Sequence, residues 1–428
     1  MFNLELALPP RQAPRLLRHL ADVAARQRGN IIRMSWPEDA VAKTAHFVGR
    51  RSPFTRHDPD LTCVVQRGTV RANGQARGLC RLSVSGDEAA VHPEILGLAE
   101  GFTLTPWQAS LPDEAAALAT GEPIGTVAPG TMALPPDIGV GAGFTQIALH
   151  LGPIMLDCAA AVGRGGDDPE PVHQMRVALR RLRSAFAMFR PVIACPATAE
   201  VAAGLRTLTA ALGPARDWDV FLAETGAQVA TAFPDSAPVA ALLHAAALQR
   251  DTAYTELATV LAGAAFRRLM VQLALLAHGT FWHTTLTPEQ HTGLEQPLAD
   301  FAAAVLARRH RRVLRAGKGF RHRDMPALHV LRLQGKRLRY AAEFFATLHN
   351  PGAAARFIAR LSRLQERLGK LNDAAVVTQL MDQLGPHDGA NGFAIGVVQG
   401  FAAAEAARAR DKASRPWRRF RKLDPFWT

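Results

Sequence analysis

The chain has 428 residues, 48% of them apolar, and a formal net charge of +13 with histidine neutral. That length holds two or three domains with proper cores, and the composition is that of a folded protein. It excludes a disordered chain, and no apolar run of membrane-spanning length is expected, because arginine, proline or acidic residues interrupt each candidate.

The first residues lack the basic-then-apolar pattern of a secretory signal. The four cysteines (Cys63, Cys80, Cys158, Cys195) lie far apart, with no C-x-x-C pairing for zinc or a disulfide framework. The expectation is a cytoplasmic protein with reduced thiols and no metal or cofactor.

From the N-terminus, alternating Phe2, Leu4, Leu6 and Leu8 predict a strand, and Arg11 to Arg28 a helix. Strands are predicted over Leu61–Val70 and Leu79–Val84, with Asn73-Gly74 as a hairpin turn. Residues 1–120 thus read as a small α+β region. The Gly/Pro-rich stretch from Gly121 to Gly143 marks a linker, bounded as 121–141. Residues 142–428 then change to long Ala/Leu/Arg segments. Breaks fall at Gly163–Pro169, Gly213-Pro214, Pro234–Pro238, Gly279–Pro288, Gly317–Pro326, Asn350–Gly352 and Gly385–Gly392. Eight to ten helices and no strand are expected there, an all-α main domain.

Charge is segregated in the same way. Residues 1–150 hold 14 basic and 14 acidic residues, so the remaining 36 basic and 23 acidic residues carry the whole +13. An arginine-favouring codon bias explains the choice of Arg over Lys, but not this segregation. An anionic partner for the helical part is implied.

An internal repeat is the most specific signal. His173-Gln-Met-Arg176-Val-Ala-Leu-Arg180-Arg181-Leu-Arg183 recurs, 156 residues on, as His329-Val-Leu-Arg332-Leu-Gln-Gly-Lys336-Arg337-Leu-Arg339. Leu212-Gly213-Pro-Ala-Arg216-Asp217 recurs as Leu368-Gly369-Lys-Leu-Asn372-Asp373 at the same offset, and Phe189, Leu205 and Leu208 match Phe345, Leu361 and Leu364. Two copies, about 142–285 and 286–428, should pack around a pseudo-two-fold axis.

On a helix, positions 173, 176, 180 and 183 share one face, as do 329, 332, 336 and 339. Beside each cationic stripe runs an apolar one, Val172, Met175, Leu179, Leu182 and Phe186 in the first copy and Leu328, Leu331, Gly335, Leu338 and Ala342 in the second. Like charges at i, i+3 and i+4 oppose helix formation by a few tenths of a kcal/mol per pair, and neither motif contains a carboxylate to relieve them. Such a surface suits phosphate oxygens, which the guanidinium fork binds in pairs. A second basic group, Arg308, Arg311, Arg312 and Arg315, also shares a face. The basic tail from Arg415 to Lys422 reads as a solvated patch that adds electrostatic steering. His173 and His329 either hold a backbone carbonyl or contact phosphate, and no partner at i+4 supports a metal role. Asp217 and Asp373 either cap the next helix or orient a neighbouring arginine. Charge alone does not separate polyphosphate from RNA.

These motifs resemble the CHAD (conserved histidine α-helical domain) family over roughly residues 142–428. The resemblance implies two pseudo-symmetric four-helix bundles around a basic groove, binding of inorganic polyphosphate and association with polyphosphate granules. By position it places His173, Arg176, Arg180, Arg181, Arg183, His329, Arg332, Lys336, Arg337, Arg339 and Tyr340 at the polyanion site; Arg216 and the Arg308–Arg315 group are counted with them. Residues 1–120 more weakly resemble the CYTH (triphosphate tunnel) domain. That family opens on E-x-E-x-K, where this chain has Asn3-Leu-Glu5-Leu-Ala7, one carboxylate and the lysine missing. Tunnel triphosphatases need clustered carboxylates for metal ions, so a degenerate, catalytically dead region is expected. The expected function is non-enzymatic polyphosphate binding; the alternatives are nucleic-acid binding and a metal-dependent triphosphatase.

Overall fold

The computed structural model describes residues 2–35, 45–106, 109–121 and 132–427. In the N-terminal region, β1 (Phe2–Ala7), α1 (Ala13–Val23), β2 (Ala25–Arg26), β3 (Asn30–Ser35), β4 (His46–His57), β5 (Asp60–Ala72), β6 (Gln75–Gly86), α2 (Glu88–Gly101), β7 (Thr105–Pro106) and α3 (Leu111–Thr120) follow in order. The strands form one antiparallel sheet in the order β2-β4-β5-β6-β1-β7, with β3 also on β4. Asn73 (φ 49°) and Gly74 (φ 78°) are both left-handed between β5 and β6, the type I′ geometry that this dipeptide favours.

Alternation along the strands sends Leu4, Leu6, Phe54, Val65, Leu82 and Val84 to one face, buried with Leu16 and Leu20 of α1 and Ile95 and Leu98 of α2. The helix expected to reach Arg28 stops at Val23, because Ala25 and Arg26 pair with Thr55 and Phe54 at the edge of β4. β3 and β4 were not expected; Gly49, Pro53 and adjacent Arg50-Arg51 hide the alternation of β4. Much of the expected linker, residues 122–131, lies outside the described residues.

Beyond it stand α4 (Val140–Gly163), α5 (Glu170–Ile193), α6 (Pro196–Phe221), α7 (Ala227–Ala232), α8 (Ala237–Ala262), α9 (Ala264–His278), α10 (Pro288–Glu295), α11 (Leu298–Ala316), α12 (Met325–Phe345), α13 (Pro351–Met381) and α14 (Gly389–Phe420). Among the described residues these eleven helices slightly exceed the expected eight to ten. The offset of 156 superimposes α4 on α11, α5 on α12, α6 on α13 and α8 on α14. The main domain is therefore two four-helix bundles, and equivalent helices meet: α5 packs on α12, α6 on α13 and α8 on α14. Phe189 and its counterpart Phe345 touch, with ring centroids 6.3 Å apart, which puts the pseudo-two-fold axis beside them.

Both apolar stripes are buried as the periodicity requires. Two expectations need correction. Gly213-Pro214 does not break the chain: α6 runs through it, because Leu212 and Ala215 are fully buried and packing holds the helix. By length and composition α4 is apolar enough to cross a membrane; here Val140, Phe144, Ile147, Leu151 and Met155 lie in the helical core.

α9 serves both domains. Its Phe266, Leu269, Met270 and Leu273 enter the helical core, while Val271, Ala274 and Leu275 enter the core of the sheet region. Glu88 of α2 accepts hydrogen bonds from the Thr280 hydroxyl (2.9 Å) and the Phe281 backbone N–H (2.7 Å) just after α9.

Candidate functional site

α5 begins with Glu170 and Pro171 in its first turn, and α12 with Asp324 as N-cap, its carboxylate accepting from the Ala327 N–H at 2.9 Å. Each apolar stripe anchors its helix in its own bundle, so the neighbouring cationic stripe turns towards the pseudo-axis. There the two stripes meet in a cleft of about 270 Å³. α5 contributes His173, Arg176 and Arg180; α6 contributes Arg216 and Asp217; α12 contributes Arg332 and Lys336; α13 contributes Asn372 and Asp373. Glu224, from the π-turn after α6, completes the polar wall. Among the described residues, four arginines and one lysine thus face three carboxylates.

The electrostatics record the crowding. Lys336 is pushed down to about 8 by burial and then by Arg332, Arg180, Arg176 and Arg339. Burial also lowers Arg180 and Arg332. His173 is held below the usual imidazole range by burial first and by Arg216 next, so it is neutral at pH 7. Three buried polar atoms (Arg180 Nε, Arg332 Nε and the Tyr340 hydroxyl) have no hydrogen-bond partner among the described residues. Buried polar groups are almost always satisfied, and these three belong to side chains that act on one another electrostatically.

Asp217 and Asp373 both lie inside helices, so neither is a cap. Asp217 Oδ1 is 3.8 Å from Arg176 Nη2, and its counterpart Asp373 acts on Arg332. Burial raises both carboxyls above their ordinary range.

Other candidates fall elsewhere. Arg183 donates to Thr209 at 3.0 Å, and its counterpart Arg339 donates to Gln365, the counterpart of Thr209, at 2.9 Å. Arg339 also lies over the Tyr340 ring and pairs with Glu343 at 3.1 Å, while Arg181 approaches Glu343 at 3.9 Å. His329 is exposed and does not line the cleft, unlike His173. Arg337 is exposed beside buried Arg309, which donates to its carbonyl. Arg308, Arg311, Arg312 and Arg315 are exposed on α11, outside the cleft. Glu224 and Glu343 were missed, since both lie outside the repeated motifs.

The CHAD domain family model matches residues 154–382. Among solved structures, the CHAD domain from the plant Ricinus communis is 26% identical, with a TM-score of 0.60 over 71% of this chain and 98% of that one. PptA from Streptomyces chartreusis shares the fold, at 16% identity and a TM-score of 0.52 over 65% of this chain and 99% of its own. No curated protein matches the chain. With just over half of its length matched by the family model, the chain belongs to the CHAD domain family.

Proposed function

We propose that this protein is a non-catalytic binder of inorganic polyphosphate, held in the cleft between the two bundles and resident at cytoplasmic polyphosphate granules. The observation that carries this reading is the cluster of underneutralised cations and orphaned buried donors at the cleft floor. Forcing Arg176, Arg180, Arg332 and Lys336 together opposes folding, and a chain of phosphates supplies the charge and the acceptors that the protein withholds. Base-reading sites offer exposed aromatic or amide groups among the cations; among the described residues that line the cleft, Asn372 is the one amide and Phe221, a buried core residue, the one aromatic.

A binding titration comparing long-chain polyphosphate with single-stranded RNA at physiological salt tests this. Tighter binding of polyphosphate, falling steeply with salt at roughly −0.7 in log–log slope per phosphate contacted, is expected. Preference for RNA, or an affinity indifferent to salt, overturns it. The N-terminal region is proposed to be inactive: Glu5 stands opposite Ser83 on β6, without the second glutamate and lysine of the tunnel motif. Triphosphate hydrolysis with Mg²⁺ or Mn²⁺ that disappears in Glu5→Ala would refute that.

A further inference from the structure

α5 and α6 run side by side, and the cleft occupies only one end of their seam. One turn beyond Arg180, Arg183 lines a second cavity of about 490 Å³, together with Arg190 and Arg206 above a shallow floor of Ala187, Ala199 and Ala202. Among the described residues, no aspartate or glutamate lines it. Arg183 is held below the usual guanidinium range by burial and then by Arg206, so two cations face each other there. From Arg180 to Arg190 is ten residues, about 15 Å along the helix.

The second copy is built differently at the equivalent seam between α12 and α13. Arg339 replaces Arg183, but Arg190 and Arg206 become Ala346 and Ser362, and Ala202 becomes Ile358. Ala187 becomes Glu343, which binds Arg339 at 3.1 Å and lies 3.9 Å from Arg181 of the other copy. The cation of that seam is neutralised from within, and its valley carries a larger side chain.

We propose that the polyanion site is one-sided. It leaves the shared cleft along the α5–α6 seam, over Arg183, Arg206 and Arg190, and is closed along α12–α13 by Glu343. This rests on the polyphosphate reading and adds the path and direction of the chain. A long polyphosphate spans cleft and seam, whereas a chain of three phosphates occupies the cleft alone.

The test gives the first copy the residues of the second. In Arg190→Ala/Arg206→Ser both altered positions are exposed, so folding is unaffected, which a melting curve verifies. Long-chain polyphosphate should bind about tenfold more weakly, with its salt slope reduced by about 1.4 for two lost contacts, while tripolyphosphate binds as before. Equal weakening of both ligands, or no change in either, overturns the one-sided path. In Glu343→Gln, long-chain affinity should rise several-fold; an unchanged value removes the closing role of Glu343. A wild-type protein that binds no polyphosphate sinks the functional reading itself, and is thereby distinguished from a failure of the path alone.

Discussion

Arg180 and Lys336 are counterparts under the 156-residue offset, and the fold brings both to the wall of one cleft, where Arg180 helps to depress the Lys336 amine. Both copies of the duplicated motif thus line one cleft.

The shared cleft makes a direct prediction. Arg176→Glu with Arg180→Glu should abolish most of the polyphosphate affinity, and Arg332→Glu with Lys336→Glu should do the same. Each reversal leaves the opposite stripe facing new carboxylates, and a chain held at one wall loses the effective concentration that the other wall enjoyed. Titration of both variants checks this. If each mutant bound half the ligand at unchanged affinity, the copies would be independent sites.

The pH dependence follows from Lys336 and His173. Below about pH 8 the Lys336 ammonium is already formed, so binding takes up no proton. Above it, binding must also protonate the amine, and affinity for long-chain polyphosphate should fall as pH rises to 9.5. Lys336→Arg stays charged and should flatten that limb. His173 acts at the other end: its depressed imidazole gains a proton only below the ordinary range, so affinity should strengthen further in mild acid, and His173→Ala should lose that limb alone. For stability the lysine has the opposite sign. Its folded pKa lies below its unfolded value, so the fold gains stability as pH rises from about 8 towards 10.5. Lys336→Met should therefore raise the melting temperature, by roughly 2–4 °C per kcal/mol released, while weakening binding.

Much of this was legible in residue spacing. A 156-residue offset seen over some forty-five residues extends to all four paired helices, and the apolar stripes beside the cations are buried throughout. Which cations reach the cleft was not legible. A stripe from position 173 to 183 rises about 15 Å, so its far end passes the cleft and Arg183 bonds Thr209 instead. Asp217 was ambiguous because Gly213-Pro214 looks like a helix end, and only the burial of Leu212 and Ala215 overrides that local signal. Glu343 carries no motif signal; its meaning appears when Arg181 and Arg339 converge on it from different copies.

Asp217 and Asp373 separate affinity from stability. Each carboxylate acts on an arginine of the cleft and should repel an incoming phosphate. Asp217→Asn and Asp373→Asn should each tighten polyphosphate binding several-fold at low salt. Each should leave stability within about 1 kcal/mol of the wild type, because the Arg176–Asp217 contact is long and partly exposed and burial already opposes both charged carboxyls. Added polyphosphate should stabilise each variant by mass action. Calorimetry with and without ligand checks this; a loss of both affinity and stability would mean that the carboxylates position the arginines for the ligand.

The sheet region is joined to the helical domain by more than a linker, and this bears on truncation. α9 presents Val271, Ala274 and Leu275 to the sheet-region core, and removing residues 1–121 strips their cover and also removes Glu88 from the turn at Thr280. The exposed face would be contiguous and apolar, a surface that drives association. The truncated chain should therefore aggregate at lower concentrations than the full chain, as light scattering would measure. Because Phe266, Leu269, Met270 and Leu273 hold the opposite face of α9 in the helical core, that core should survive the truncation. Val271→Gln with Leu275→Gln in the truncated chain should restore solubility and keep polyphosphate affinity near that of the full protein, since the cleft residues all lie beyond position 170. A soluble truncated double variant that fails to bind would show that the sheet region takes part in holding the ligand.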